Sequence, residues 1–334
     1  MLYISDTSTD PYFNLAEEEF LLKEMTEDIF RLWRNSPSII VGRYQNTIAE
    51  IESDYTRTHS IPVIRRLSGG GAVFHDLGNL NFTFIQNITP KASKSAVDPS
   101  EMFRRFTAPI IGALRSIGVN AELQGRNDLV IDGMKFSGNA ICIHKNRILM
   151  HGTLMFKVSK TYLSKALKPR PEKFIGKAVK SNVKRVTNIS EHLKDKDADI
   201  LWFTGFLGKY VCSQVKDITP YTFTEDQLNR INHLRETRYS TDQWNFGKSP
   251  RYNFSISRRF PTGIVELYLT AEGGLIKDLD IRGDYFFTRP TEEFTRKLIG
   301  TPHTRQDIEK KIGTLDLGAY FAGISPEDIV NLFF

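Results

Sequence analysis

The run Arg65-Arg66-Leu67-Ser68-Gly69-Gly70-Gly71-Ala72-Val73-Phe74-His75 constrains this chain more than any other segment. Two guanidinium groups end a strand-like stretch, and a hydroxyl and three glycines follow. Glycine lets a backbone approach a ligand closely and turns successive N–H groups toward an anion. Arginine adds fixed, bidentate-capable charge. The run lacks the Gly-Lys-Ser/Thr ending of a Walker A loop and the G-x-G-x-x-G spacing of a dinucleotide fold. The reading is an anion-binding loop, with a tight hairpin as the bland alternative.

Two further segments carry polar chemistry on strand-like frames. Gly125-Arg126-Asn127-Asp128 leads into a strand, and an Asp132-Gly133 hairpin turn then sets Lys135 before Phe136-Ser137-Gly138-Asn139-Ala140. His151-Gly152-Thr153 opens an apolar stretch. Taken alone, Lys135 could be a solvated surface charge and His151 a packed core histidine.

With 334 residues the chain has room for two domains and needs no disulfide staples. Cys142 and Cys212 are too few for a disulfide framework or a cysteine-rich zinc site. There is neither a basic-then-apolar leader nor an apolar run of about 18 residues. The cytoplasm is the expected compartment. A net charge of +6, from 45 basic and 39 acidic residues, permits an anionic partner without naming it.

Along the chain, Asn14–Met25 reads as a helix and Asp28–Trp33, Ser38–Gly42, Ile61–Arg66, Ala72–His75 and Asn81–Gln86 as strands. A helix should start at an Asp98 cap and run to Ile117, with a kink or break at Pro109. Leu129–Asp132, Lys135–Ile143 and Arg147–Phe156 read as a meander. Residues 168–185 hold seven basic side chains against one acid and read as an irregular loop. Helices are expected at 199–212 and 225–237, a boundary near 238–250, and an α+β tail of three strands and three helices.

RRLSGGGAVFHDLGNLNFTF, GRNDLVIDGMKFSGNA, HGTLMF and RVTNI, in this order and spacing, closely resemble the lipoate–protein ligases. WNFGKSP and GDYF in the tail extend the resemblance over nearly the whole chain. It implies an α+β fold: a biotin/lipoate ligase-like mixed sheet flanked by helices over residues 1–240, a linker at 241–250 and a smaller accessory domain over 251–334. It also implies ATP-dependent activation of lipoate to lipoyl-AMP, then transfer to a lysine. The acceptors would be lipoyl domains of 2-oxoacid dehydrogenases or the glycine cleavage H protein. The enzyme would act as a cytoplasmic monomer, apart from nucleic acid and membrane.

Residue by residue, the resemblance assigns Lys135 to the bridge between acyl carbonyl and phosphate. Arg66, Ser68, Gly69, Gly70, Gly71, Ala72, Val73, Phe74, Asn79, Asn127 and Asp128 fall at nucleotide-contacting positions. Asp128 is the choice for a Mg²⁺-linked carboxylate, against a plain capping role. His75 and His151 fall near the acyl pocket, with structural packing the alternative for each. Val41, Val73, Leu80 and Phe82 are candidates for a narrow apolar slot, or for ordinary sheet core. Lys177, Lys180 and Lys184 could close over the adenylate from the basic loop.

The rivals are an octanoyl or lipoyl transferase on the same fold, an enzyme acting only on preformed lipoyl-AMP, a biotin ligase and a nucleic-acid binder. No cysteine lies between Asn120 and Lys135 or just before His151, which argues against thioester catalysis. No helix-turn-helix, RRM or zinc signature supports nucleic-acid binding.

Overall fold

The structure is a computed structural model. It describes residues 1–334 except 6, 46, 89–97, 160–165, 168–185, 247–253, 273 and 286. Strands β1 (Leu2–Ser5), β2 (Ile29–Trp33), β6 (Asn79–Asn87), β7 (Ala121–Gln124), β8 (Asp128–Ile131), β9 (Met134–His144), β10 (Arg147–Met155) and β11 (Thr219–Pro220) form one sheet. Its order is β11-β1-β2-β6-β10-β9-β8-β7. The β11–β1 and β1–β2 pairs are parallel. From β2 to β7 every pair is antiparallel. A second sheet, β4-β3-β5, combines β3 (Ser38–Val41), β4 (Val63–Arg65) and β5 (Val73–His75).

Alternation along the strands gives the large sheet two faces with different duties. Phe30, Leu32, Leu80, Phe82, Phe136 and Met150 pack with helices α2 (Pro99–Ser116) and α3 (Ile200–Ser213). The other face meets α1 (Pro11–Lys23), where Leu15, Phe20 and Leu22 pack on Ile29, Trp33, Ile85 and Leu149. Helix α4 (Glu225–Leu234) supports α1 from outside, through Ile231.

Local chemistry explains the element boundaries. Asp10 caps α1 by accepting from the Tyr12 and Phe13 N–H groups, with Pro11 opening the helix. Asp98 caps α2 through the Ser100 N–H, as the sequence predicts. Pro109 does not break α2, which runs continuously from Pro99 to Ser116. Phe106, Ile110, Ala113 and Leu114 are buried on either side of the proline. That packing outweighs the single backbone bond the ring removes. In the β8–β9 hairpin Asp132 and Gly133 both take positive φ, 49° and 74°.

The C-terminal part is an antiparallel meander of β12 (Phe254–Phe260), β13 (Gly263–Glu272) and β14 (Leu275–Gly283). Helices α5 (Thr291–Leu298) and α6 (Arg305–Ile312) complete its core through Phe294, Leu298, Ile308 and Ile312. Just before it, residues 242–245 form a short helix anchored to β4. Asn245 is buried there and its amide oxygen accepts the Arg65 N–H at 3.0 Å. Residues 247–250 of the expected 241–250 linker lie outside the described residues.

Candidate active site

The glycine run leaves β4 and returns as β5. Arg65 and Arg66, at its root, hold it from inside. Arg65 donates to the carbonyl oxygens of Gly42, Arg43, Gln45, Trp244 and Asn245 and to Thr47 Oγ1, at 2.6–3.1 Å. Arg66 donates to the carbonyls of Ile40, Gly69 and Gly71 and to Ser68 Oγ, at 2.6–3.1 Å. Burial lowers both guanidinium pKa values to about 10. For Arg66 the nearby carboxylates Glu18 and Glu50 oppose that effect. The sequence reading gives these arginines direct contact with an anion. Here Arg66 donates to the glycine loop itself and shapes it, offering charge from behind, while Arg65 ties the turn after β3 to the short helix at 242–245.

Two glycines are required by close approach. A Cβ on Gly42 would stand 2.1 Å from the Gly70 carbonyl oxygen, and Gly70 itself takes φ +89°. Ala72 and Phe74 face the cluster around Val41, Ile39 and Val63, whereas Val73 packs toward Trp33 and Ile40. Val41 is fully buried in that small core.

Lys135 and Asp128 meet across the β8–β9 hairpin, with Nζ 2.8 Å from Oδ1. Asp128 pairs in register with Gly138, and a Cβ on Gly138 would lie 3.2 Å from Lys135 Nζ. The ammonium thus lies across a position kept free of side chain. Asn127 ties off the open end of the same hairpin: its amide donates to the Asn139 carbonyl, and Asn139 donates back to the Asn127 carbonyl at 2.9 Å.

The register continues this face inward. Gly138 is followed two residues on by Ala140, Ala140 pairs with His151, and His151 with Thr83. Gly70 sits above Ala140, since a Cβ there would be 4.0 Å from the Ala140 Cβ. Lys135, Asp128, Gly138, Ala140, His151 and Thr83 therefore share one face, roofed in part by the glycine loop. Leu80 and Phe82 point to the opposite face, into the core with α2. Asn79 lies along β6 on the site face and donates to Asn81 Oδ1 at 2.8 Å.

At the inner end the polar groups are connected. Ser68 Oγ is 2.6 Å from His151 Nε2, and His151 Nδ1 is 3.0 Å from both oxygens of Glu18. Thr83 donates to Glu18 at 2.6 Å and Trp33 Nε1 donates to Thr83 at 2.9 Å. Burial pushes the Glu18 carboxyl pKa up, but His151, Thr83 and Arg31 outweigh it and leave it below the ordinary value. His75 accepts at Nδ1 from Asn35, whose own oxygen accepts from Asn14. Its proton is therefore on Nε2, a buried N–H with no protein acceptor among the described residues. Burial, with the Arg66 charge nearby, lowers the His75 pKa to about 3.

Glu18, Thr83 and Trp33 are absent from the candidates named on sequence. The signal was Glu17-Glu18-Glu19 inside an otherwise apolar helix. All three are buried, at 0%, 3% and 2% exposure, each with a partner: Arg31 for Glu17, His151 for Glu18, and Lys23, Arg238 and Tyr239 for Glu19. Lys177, Lys180 and Lys184 lie outside the described residues. Cys142 is buried on β9, and burial pushes its thiol pKa up to about 12. That is the opposite of an activated nucleophile.

The C-terminal core reaches the glycine loop. The Tyr285 carbonyl would be 2.6 Å from a Cβ on Gly69, and the Phe287 ring 3.3 Å. Tyr44, from the turn after β3, inserts among Tyr285 and Phe287 and accepts the Gly283 N–H on its carbonyl at 2.8 Å.

The lipoyl protein ligase A/B catalytic domain family matches residues 10–207, and the bacterial lipoate protein ligase C-terminus family matches residues 249–333. Lipoate-protein ligase LplJ of Bacillus subtilis is 40% identical over 339 residues, covering 100% of both chains. P. falciparum LipL1 in complex with lipoate superposes with a TM-score of 0.75 at 27% identity, over 94% of each chain. A bipartite lipoate protein ligase from Thermoplasma acidophilum, described with its E2 lipoyl domain, gives 0.63 at 28% identity over 76% of this chain and 98% of that one. Lipoate-protein ligase A bound with ATP gives 0.62 at 26% identity over 74% and 98%. With one family model over residues 10–207, a second over 249–333 and a relative 40% identical over its full length, this chain belongs to the lipoate–protein ligase family.

Proposed function

We propose that this lipoate–protein ligase works in two steps on the face between Lys135 and His151. First the lipoate carboxylate attacks the α-phosphorus of ATP; a C–O–P linkage forms, the α–β bridge breaks and pyrophosphate leaves. Then a neutral lysine amine of the acceptor attacks the acyl carbonyl, giving the amide and AMP. The observation that carries this reading is the Lys135 ammonium lying over Gly138 beside the glycine loop. Two anions must be brought together, and a fixed cation between them lowers that barrier. A compact ammonium suits a bridge between carbonyl and phosphate oxygens.

The glycine loop is assigned to the nucleotide, through the backbone N–H groups of Gly69–Phe74, Ser68 and the charge of Arg66. Asn79, Asn127 and Asp128 are assigned to the same side. The lipoyl chain is assigned to the inward track over Gly138 and Ala140, with Val73, Val41, His75 and His151 around it. The free His75 Nε2–H supports a ligand atom at that end.

Mg²⁺ fits as a companion of the nucleotide. Among the described residues no three His, Cys, Asp or Glu side chains form a metal cluster. Asp128 offers one carboxylate to combine with phosphate oxygens, an arrangement this ion ordinarily accepts. When bound it would neutralise phosphate charge. The acceptors proposed are lipoyl domains of 2-oxoacid dehydrogenases and the glycine cleavage H protein, in keeping with the E2 lipoyl domain of the Thermoplasma acidophilum relative. We assign the enzyme to the cytoplasm, as a monomer; no helix among the described residues is long and apolar enough to cross a membrane.

Pyrophosphate exchange into ATP tests the first step. The reading expects exchange that needs lipoate together with Mg²⁺. Acyl transfer from preformed lipoyl-AMP without any exchange would instead assign the enzyme to transfer alone.

A further inference from the structure

The polar chain beneath the glycine loop runs in one direction. Arg66 Nε–H donates to Ser68 Oγ at 3.0 Å. Having accepted there, the Ser68 hydroxyl is free to donate to His151 Nε2 at 2.6 Å. His151 faces both oxygens of Glu18 with Nδ1, so that nitrogen carries the proton and Nε2 is the acceptor. From the other side Trp33 donates to Thr83 and Thr83 donates to Glu18. Every donor points toward one buried carboxylate, which can only accept.

We propose that Glu18 is a positioning residue for adenylate formation, acting through His151 on Ser68 and the loop that Arg66 holds. The carboxylate fixes the His151 tautomer, and the tautomer fixes which way the Ser68 hydroxyl turns. With that hydroxyl turned to His151, its lone pair faces Arg66 Nε. Arg66 then keeps its remaining donors on Ile40, Gly69 and Gly71. The same carboxylate counters the buried Arg66 charge. Glutamine at position 18 would keep the shape but lose both effects, because its amide can donate to Nδ1 as readily as it accepts. The loop would then have two hydrogen-bond patterns in place of one.

This inference rests on the proposed adenylation at the glycine loop. It concerns the loop's geometry rather than the acyl track, and that separates it from a role in packing the slot. The test uses the full-length wild type, Glu18→Gln, His151→Gln and the double variant, each checked for folding by circular dichroism and thermal melting. Lipoate-dependent pyrophosphate exchange is the readout. Glu18→Gln and His151→Gln should each lower kcat by about tenfold or more, and for Glu18→Gln, which lies behind His151, the lipoate KM should change by no more than about threefold. Because the two act through one chain, the double variant should fall no further than about threefold below the weaker single.

Three results would overturn the inference: near-normal exchange by folded Glu18→Gln, a loss confined to the lipoate KM, or a double variant whose loss is the product of the single losses. Should Glu18→Gln fail to fold, Thr83→Val, which removes one donor from Glu18, replaces it in the same cycle with His151→Gln. Failure of the wild type to catalyse exchange would refute the adenylation reading itself, and is thereby distinguishable from failure of the Glu18 variants.

Discussion

Lys135 is 31% exposed at its side chain and pairs with Asp128, so replacing it removes charge from the site while taking little from the core. Lys135→Ala should therefore lower lipoyl-AMP formation by about 10²-fold or more, the scale of losing a preorganised electrostatic contact. The melting temperature should hardly move; near-normal exchange in the folded variant would refute the role. His75 makes a different prediction. Its pKa is about 3 in the folded chain against the ordinary histidine value of about 6.5, so the unfolded chain binds the extra proton between those values. Stability should fall as pH is lowered from about 6.5 toward 3, and His75→Asn should flatten that slope in urea denaturation series at stepped pH. An unchanged slope would show that other groups carry it. The glycine run and the Asp132-Gly133 turn made Ser68 and Lys135 readable as candidates, whereas His75 and His151 became candidates through the family resemblance. Glu18 was not readable. A glutamate in a helix usually faces water, and only the tertiary register shows that this one meets a histidine 133 residues away.

At the scale of elements, the glycine loop is held by a backbone approach that tolerates no side chain. Gly42→Ala would place a methyl group 2.1 Å from the Gly70 carbonyl oxygen, so the turn after β3 and the loop must part. The expected outcome is a folded protein with strongly reduced pyrophosphate exchange; full activity would mean that the approach is unnecessary. The thiols supply a contrasting case. Cys142→Ala together with Cys212→Ala should keep acyl transfer within about threefold of wild type, since a buried thiol with its pKa pushed up to about 12 is no nucleophile. Loss of transfer would restore the thioester reading. Hairpins and helix ends were legible because their signals are local: Asp132-Gly133 in its turn, Asp98 and Pro99 at α2, and in the tail three strands and three of the four α-helices among the described residues, the short Leu317–Tyr320 being missed. The parallel β1–β2 pair and the eight-strand order were not legible, because strand pairing is decided by contacts distant in sequence. Pro109 misled for a related reason, as the packing that overrides it comes from other elements.

Over the whole molecule, the accessory core touches the loop that is proposed to bind nucleotide. Tyr44 joins the two parts by burying its ring against Tyr285 and Phe287. Removing a buried aromatic costs about 3–5 kcal/mol, so Tyr44→Ala should split thermal unfolding into two steps. A single transition at the wild-type temperature would show that the docking lies elsewhere. The modest +6 charge also changes meaning at this scale. Arg65 and Arg66 are buried under the loop, so part of the basic character is fixed around the proposed nucleotide site. A purified lipoyl domain is incubated with the enzyme, ATP, Mg²⁺ and lipoate, and its intact mass is followed, with ATP or lipoate omitted in controls and Lys135→Ala run in parallel. The expected result is one lipoyl addition on the acceptor lysine that requires ATP and lipoate and disappears with Lys135→Ala. An unmodified acceptor with wild-type enzyme, or equal modification by the Lys135 variant, would contradict it.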